Sequence, residues 1–236
     1  MTDAEATMSL LEHLEELRRR LIIVIAAIAI GAIIGFFLSD LVLNVLRAPL
    51  PGNYSTLFFT RVTEVFEVRL KIGIFVGIAL AMPVILFQVW RFVSPGLTRG
   101  ERHVVWPLLG AALLLFLLGI EVGFVIVPFA LAFLLSFSTP GTAPLLTIGE
   151  YVGFVTTMML AFGIVMEFPI VLLALARVGI LSYRRVAAQR RLIILGIVIF
   201  AVVVTPGGDP FSPTILSAVM YVLFEGALLV MRLARR

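Results

Sequence analysis

From Leu21 to Ser39 the chain runs nineteen residues without one charged side chain. As a helix that run is about 28 Å long, close to the ~30 Å hydrocarbon thickness of a bilayer. Such a helix is apolar all round, so it needs either a large protein core or lipid as its solvent. The rest of the chain excludes the large core. Hydrophobic residues make up 61% of the 236, and charged residues only 14%, where a soluble domain carries about a quarter. Too few charges remain to coat a water-facing surface. The reading is an all-α, polytopic membrane protein forming one integral domain over residues 1–236.

Six apolar segments predict membrane helices, at about 21–38, 72–90, 104–135, 151–176, 192–204 and 215–230. Pro107 and Pro128 predict tilt or kinks in the third, and Pro169 predicts a bend or break in the fourth. The fifth and sixth are short and are joined by the turn-rich "TPGGDPFSP". The stretch "TEVFEVRLKI" reads as a helix leading into the second span. The first segment ends in "FFLSDLVLNVL" with no small-residue exit, so it reads as a retained span rather than a cleaved signal. No 20–50-residue repeat appears.

With six spans, fourteen of the eighteen lysines and arginines fall on the side holding both termini. The other side holds Arg47, Arg61, Arg69 and Lys71. Positive charge collects in the cytoplasm, which places both termini there.

Few residues suit catalysis. There are no cysteines, hence no disulfides and no thiolate metal sites. The two histidines, His13 and His103, lack metal-ligand spacing, and no hydrolase, metalloprotease or nucleotide-binding pattern occurs. "PGGD" resembles an intramembrane aspartyl protease only loosely, since no second aspartate lies in an apolar run. The sequence implies neither an enzyme nor a cofactor. The basic residues border apolar segments, so they speak for membrane topology and not for nucleic acid.

The acids are more informative. "SLLEHLEELRRRLI" reads as an amphipathic helix, with Ser9 and Glu12 as a capping box and Leu10, Leu14, Leu17 and Leu21 as its apolar stripe. On its surface Glu15 and Glu16 would pair with Arg19 and Arg20, each pair contributing only about 0.2–0.5 kcal/mol. Alternatively, Glu16 and Glu101 form a two-part acidic receptor for a partner with two arginines, since a carboxylate accepts a guanidinium fork. The aromatic group around "FQVWRFV" suits an interfacial belt, and Phe92 could instead line a surface beside Glu101. Glu121, Glu167 and Glu225 lie inside apolar runs, and Glu150 opens the fourth. Acids at such depth face protein or water. Glu167, just before Phe168 and Pro169, either locks helices together or marks a groove or a proton-responsive group. The set of intramembrane glutamates also fits a second function, a proton-coupled small-molecule transporter, although the missing repeats and short final helices do not.

Five stretches in order resemble the TatC family, the core membrane subunit of the twin-arginine protein translocase. They are "HLEELRRRL" at 13–21, "AMPVILFQVWRFVSPGLTRGERH" at 81–103, "AFGIVMEFPI" at 161–170, "TPGGD" at 205–209 and "YVLFEGALL" at 221–229. The resemblance covers nearly the whole chain. It implies a concave, glove-like bundle in the bacterial cytoplasmic membrane that exports folded proteins, driven by the proton-motive force. It implies that Glu16 and Glu101 receive the signal's arginines, with Phe92, Arg18 and Arg20 in the same site. Glu167 would lie in the membrane-facing groove. Pro49 and Phe66 would support the first outer loop. TatA and TatB type single-span subunits would dock at the last two helices, and copies of the chain would assemble in the receptor. Three features depart from the family pattern. The "TPGGD" link carries an extra residue, and Pro213 stands where a polar side chain is expected. Glu121 stands where an apolar one is expected.

Overall fold

The computed structural model describes residues 10–50, 56–93, 105–139, 141, 143–177 and 179–233. Among them the chain is helical, in the order α1 (Leu10–Phe37), α2 (Ser39–Leu46), α3 (Glu64–Val93), α4 (Val105–Leu135), α5 (Ile148–Val165), α6 (Phe168–Arg177), α7 (Tyr183–Ala188), α8 (Arg190–Val204) and α9 (Phe211–Leu233). Five stretches are long and apolar enough to cross a membrane: Leu14–Phe37, Glu64–Phe92, Trp106–Leu135, Ile148–Arg177 and Phe211–Leu233. The fifth expected segment is α8, whose 15 residues make about 22 Å of helix. It is short, as expected. The last is not: α9 has 23 residues, or about 34 Å. Its start is set four residues earlier than the apolar pattern suggested, because the Asp209 carboxylate accepts the Ser212 N–H at 2.7 Å and caps the first turn.

The two stretches expected to lead into spans are continuous with them. The amphipathic prelude and the first span are one continuous helix, α1, because no proline or glycine interrupts residues 10–30. The "TEVFEVRLKI" stretch likewise runs into α3 without a break. Charged first and last turns extend a membrane helix into the interface, where apolar run length no longer reports its limits.

The predicted disturbance at Pro169 is a true break. α5 stops at Val165, Met166 and Glu167 form a turn, and α6 starts at Phe168. Proline lacks an N–H, so it fits the first turn of the new helix and would disrupt the interior of a continuous one. The Glu167 carbonyl accepts the N–H of Ile170 and Val171 at 3.0 and 3.1 Å, which carries the chain across the turn.

α5 is the centre of the bundle. Val152, Val155, Met158 and Phe162 are fully buried, packed in one cluster with Ile72 and Phe75 of α3, Val127 of α4, and Leu216 and Phe224 of α9. A smaller cluster joins Met82, Leu86 and Trp90 of α3 to Ala112 and Phe116 of α4 and Ile170 of α6.

α1 and α3 cross antiparallel through small residues. A Cβ added at Gly31 would lie 2.9 Å from the Gly77 Cα, and one at Gly73 would lie 2.9 Å from the Ala32 carbonyl oxygen. Both helices carry a Gly-x-x-x-Gly pair, Gly31/Gly35 and Gly73/Gly77. In a membrane, where apolar burial drives no association between helices, such close backbone approach supplies the packing energy. The crossing also fixes register. Arg20 stands eleven residues before Gly31, Gln88 stands eleven after Gly77, and the two side chains meet.

Candidate functional site

At the arginine-rich end of the bundle, the α1–α3 register builds a polar basin. Arg20 donates through Nε to Glu16 Oε1 at 3.1 Å, and its terminal nitrogen also pairs with that oxygen. The spacing of one helical turn makes this contact local. Arg20 then reaches across to α3, donating through Nη1 to Gln88 Oε1 at 3.3 Å. Arg20 and Glu16 side chains are only 12% and 20% exposed, so the pair is better shielded than an ordinary surface bridge. Glu16, Arg19, Arg20, Ile23, Gln88 and Arg91 line a cavity of about 150 Å³.

The chemistry of that basin is specific. One carboxylate is surrounded by guanidinium groups, so it is not a plain acidic trap. Arg20 already forms on Glu16 the kind of charge-assisted contact that an incoming arginine would form. Any cation that took Glu16 would have to displace Arg20, which has Gln88 as its second acceptor.

The sequence-based candidates distribute as follows. Glu16 and Arg20 are together in the basin. Phe92 is half-buried on α3, one turn beyond Gln88. Arg18 is exposed on α1 and does not line the cavity. Glu101 lies outside the described residues, so its approach to Glu16 rests on the sequence alone. Gln88 was not singled out from the sequence. It lies within an aromatic stretch that reads as a belt, and only the register with α1 shows its partner.

Glu167 sits in the turn between α5 and α6, 9% exposed. Neither carboxylate oxygen has a hydrogen-bond partner among the described residues. Burying an acid without a partner is costly. Glu225, by contrast, is engaged: Arg190 at the start of α8 pairs with it across to α9. The transporter alternative drew on the set of intramembrane glutamates, and Glu225 is one that is already ion-paired.

The opposite end is held by a different acid. Glu64, in the first turn of α3, accepts the Thr60 and Gly149 N–H groups at 2.8 and 2.9 Å, with the Thr60 hydroxyl and Arg61 N–H as further donors. Nearby, Phe58 and Thr147 form an isolated parallel bridge. The loop before α3 and the loop before α5 are thereby tied together. Phe66 is exposed and meets Phe36 edge-on at 6.1 Å. Pro49 is half-buried in the turn after α2. That turn is anchored where the Tyr151 hydroxyl donates to the Leu46 carbonyl at 2.6 Å.

The profile of one protein family, described as Sec-independent protein translocase protein (TatC), matches residues 12–218. The chain belongs to the TatC family. It is 38% identical over 224 residues to the Sec-independent protein translocase protein TatC of Carboxydothermus hydrogenoformans, covering 94% of this chain and 92% of the relative. It is 36% identical to that of Aquifex aeolicus, covering 97% of each. A crystal structure of the twin-arginine translocase receptor TatC superimposes with a TM-score of 0.80 at 36% identity, over 95% of this chain and all of that one. This TatC-family chain is thus a multi-pass subunit of the bacterial cytoplasmic membrane that serves Sec-independent protein translocation. The expected resemblance and the all-helical membrane fold are both borne out.

Proposed function

We propose that this chain is the receptor for twin-arginine signal peptides, and that its basin at Glu16 reads the arginines. The observation that carries the reading is the Glu16–Arg20–Gln88 arrangement, in which a carboxylate is held ready by a guanidinium that a ligand can replace. Both termini face the cytoplasm, in keeping with the arginine-rich end. Glu101 supplies the second acid, Phe92 a wall for the signal's apolar part, and Arg18 a basic contact beside the site. The two guanidiniums of the signal dock on Glu16 and Glu101, each by charge-assisted hydrogen bonds.

The signal's apolar segment then lies along the membrane-facing groove at Glu167, a buried acid with no hydrogen-bond partner among the described residues. Pro49 and Phe66 hold the outer loop. Copies of the chain assemble in the receptor, and TatA and TatB type subunits join at α8 and α9. The proton-motive force drives the later steps.

Binding of a synthetic twin-arginine peptide to the full-length chain in lipid nanodiscs tests the docking step. Glu16→Gln keeps the shape and removes the charge. Loss of a hydrogen bond to a charged group is worth about 1.5–3 kcal/mol, and displacement of Arg20 offsets part of it, so we expect affinity to fall roughly tenfold. Glu101→Gln should act alike. A twin-lysine peptide should bind more weakly to the unmodified chain and lose less with Glu16→Gln, because an ammonium lacks the planar fork. Unchanged affinity in both variants would refute the reading.

A further inference from the structure

Glu121 is used by nothing described above. It is the seventeenth residue of the 31 in α4, about 24 Å from one end of the helix and about 21 Å from the other. That puts it near the middle of the hydrocarbon. It is exposed, and its carboxyl group has no hydrogen-bond or ion-pair partner among the described residues. Its short side chain cannot reach an interface about 15 Å away. α4 turns its other face to the bundle: Gly119 and Gly123 pack against Phe162 and Met159 of α5. Glu121 therefore points outward, away from the core.

Its neighbours on that outward face are apolar. Leu114, Leu118, Glu121, Val125, Pro128 and Ala132 recur at alternating spacings of four and three. Pro128 is half-buried, and the rest are exposed. That spacing suits a heptad seam, the pattern that lets two helices pack side by side at a small left-handed angle, and a single polar residue in such a seam fixes its register. Two copies of a membrane protein share one orientation, so their α4 helices run parallel. A twofold axis along the membrane normal then brings each seam residue against itself. At the middle, carboxyl meets carboxyl. A carboxylic acid carries one donor and one good acceptor, so the pair closes two hydrogen bonds and satisfies both groups.

We propose that α4 is a homotypic interface, and that Glu121 of one copy pairs with Glu121 of a second copy across its centre. The inference rests on the reading that copies of this chain assemble in the receptor, and it names the face they use.

The chain has no cysteine, so single cysteines report without background. Cysteines placed one at a time from 113 to 126 in the full-length chain, oxidised in native membranes, should give disulfide-linked dimers that peak at 114, 118, 121 and 125. They should be weak at 116, 119 and 123, which face α5. Fluorescence transfer between labelled full-length copies, diluted into vesicles of a single phosphatidylglycerol–phosphatidylethanolamine mixture, gives the strength. Glu121→Leu should weaken association roughly 3- to 20-fold, the range for an interhelical hydrogen bond in lipid. Glu121→Gln, whose amide also donates and accepts, should stay close to the unmodified chain. A flat or differently phased cross-linking pattern overturns the proposal. So does a leucine variant that associates as tightly, or cross-linking at 118 and 125 to a different polypeptide instead of a copy. Association is read with no signal peptide present, so it can fail while peptide binding at Glu16 stands, and the reverse.

Discussion

Replacing Gly77 by alanine should weaken peptide binding at a basin that this residue does not touch. The added Cβ would lie 2.7 Å from both the Ala32 nitrogen and the Ile28 carbonyl oxygen. Ordinary contact distances are about 3.5 Å, so α1 and α3 must separate by roughly 0.7 Å at the crossing. Backbone cannot rotate aside as a side chain would, and overpacking of this kind costs about 1–3 kcal/mol. The more telling effect is remote. The Arg20–Gln88 hydrogen bond is 3.3 Å long, and a further 0.7 Å takes it beyond bonding distance. Losing a hydrogen bond to a charged group costs about 1.5 kcal/mol or more, which corresponds to roughly a tenfold loss in peptide affinity if Gln88 is the acceptor that keeps Arg20 once the peptide has displaced it from Glu16. The assay is titration of fluorescent twin-arginine peptide against full-length chains with Gly77→Ala, Gln88→Ala and both. If the glycine acts through this bond, the double variant binds no worse than the more severe single one. Additive losses, or a folded Gly77→Ala chain with undiminished affinity, would refute the argument from register.

Two further outcomes concern stability. Tyr151→Phe deletes the hydroxyl that donates to the buried Leu46 carbonyl at 2.6 Å; leaving that acceptor unsatisfied should cost about 1–3 kcal/mol, and thermal unfolding should show a lowered midpoint with no change in peptide affinity. Arg190→Glu places two like charges at the α8–α9 contact with Glu225, and should lower the midpoint by several degrees, whereas the exchange Arg190→Glu with Glu225→Arg should recover most of the loss; failure of the exchange to recover any would show that the pair contributes nothing.

The sequence made some parts of this molecule legible because they depend on local chemistry. Apolar length predicts which stretches enter lipid, and Pro169 predicts the break that isolates Glu167, since one missing N–H suffices. The arginine distribution separates one end of the bundle from the other for the same reason. What was illegible depends on how two helices meet. Gln88 became a site residue only when the glycines of α1 and α3 set the register, and nothing within "LFQVWR" announces a partner 68 positions earlier. The role of Glu64 was hidden likewise, because its donors come from two loops that are distant in sequence. The start of α9 was not legible, because the Asp209 cap decides that boundary and hydropathy does not. The pairing of Glu16 with Arg20 was legible, being one turn apart, but it looked like an ordinary surface bridge until its shelter beneath α3 was seen.

The burial of α5 has a consequence for how the protein is made. In the span Ile148–Arg177, 61% of the most apolar window is inside the bundle, against 11% for Leu14–Phe37. α1 can therefore leave the ribosome, enter lipid and wait there as a lone, greasy rod. The α5–α6 span cannot do so at comparable ease, since its dislocated backbone and its glutamate would meet acyl chains. Biogenesis thus has a natural sequence: the early hairpin of α1 and α3 stands first, α4 follows, and the central span is threaded into a berth its neighbours have already formed.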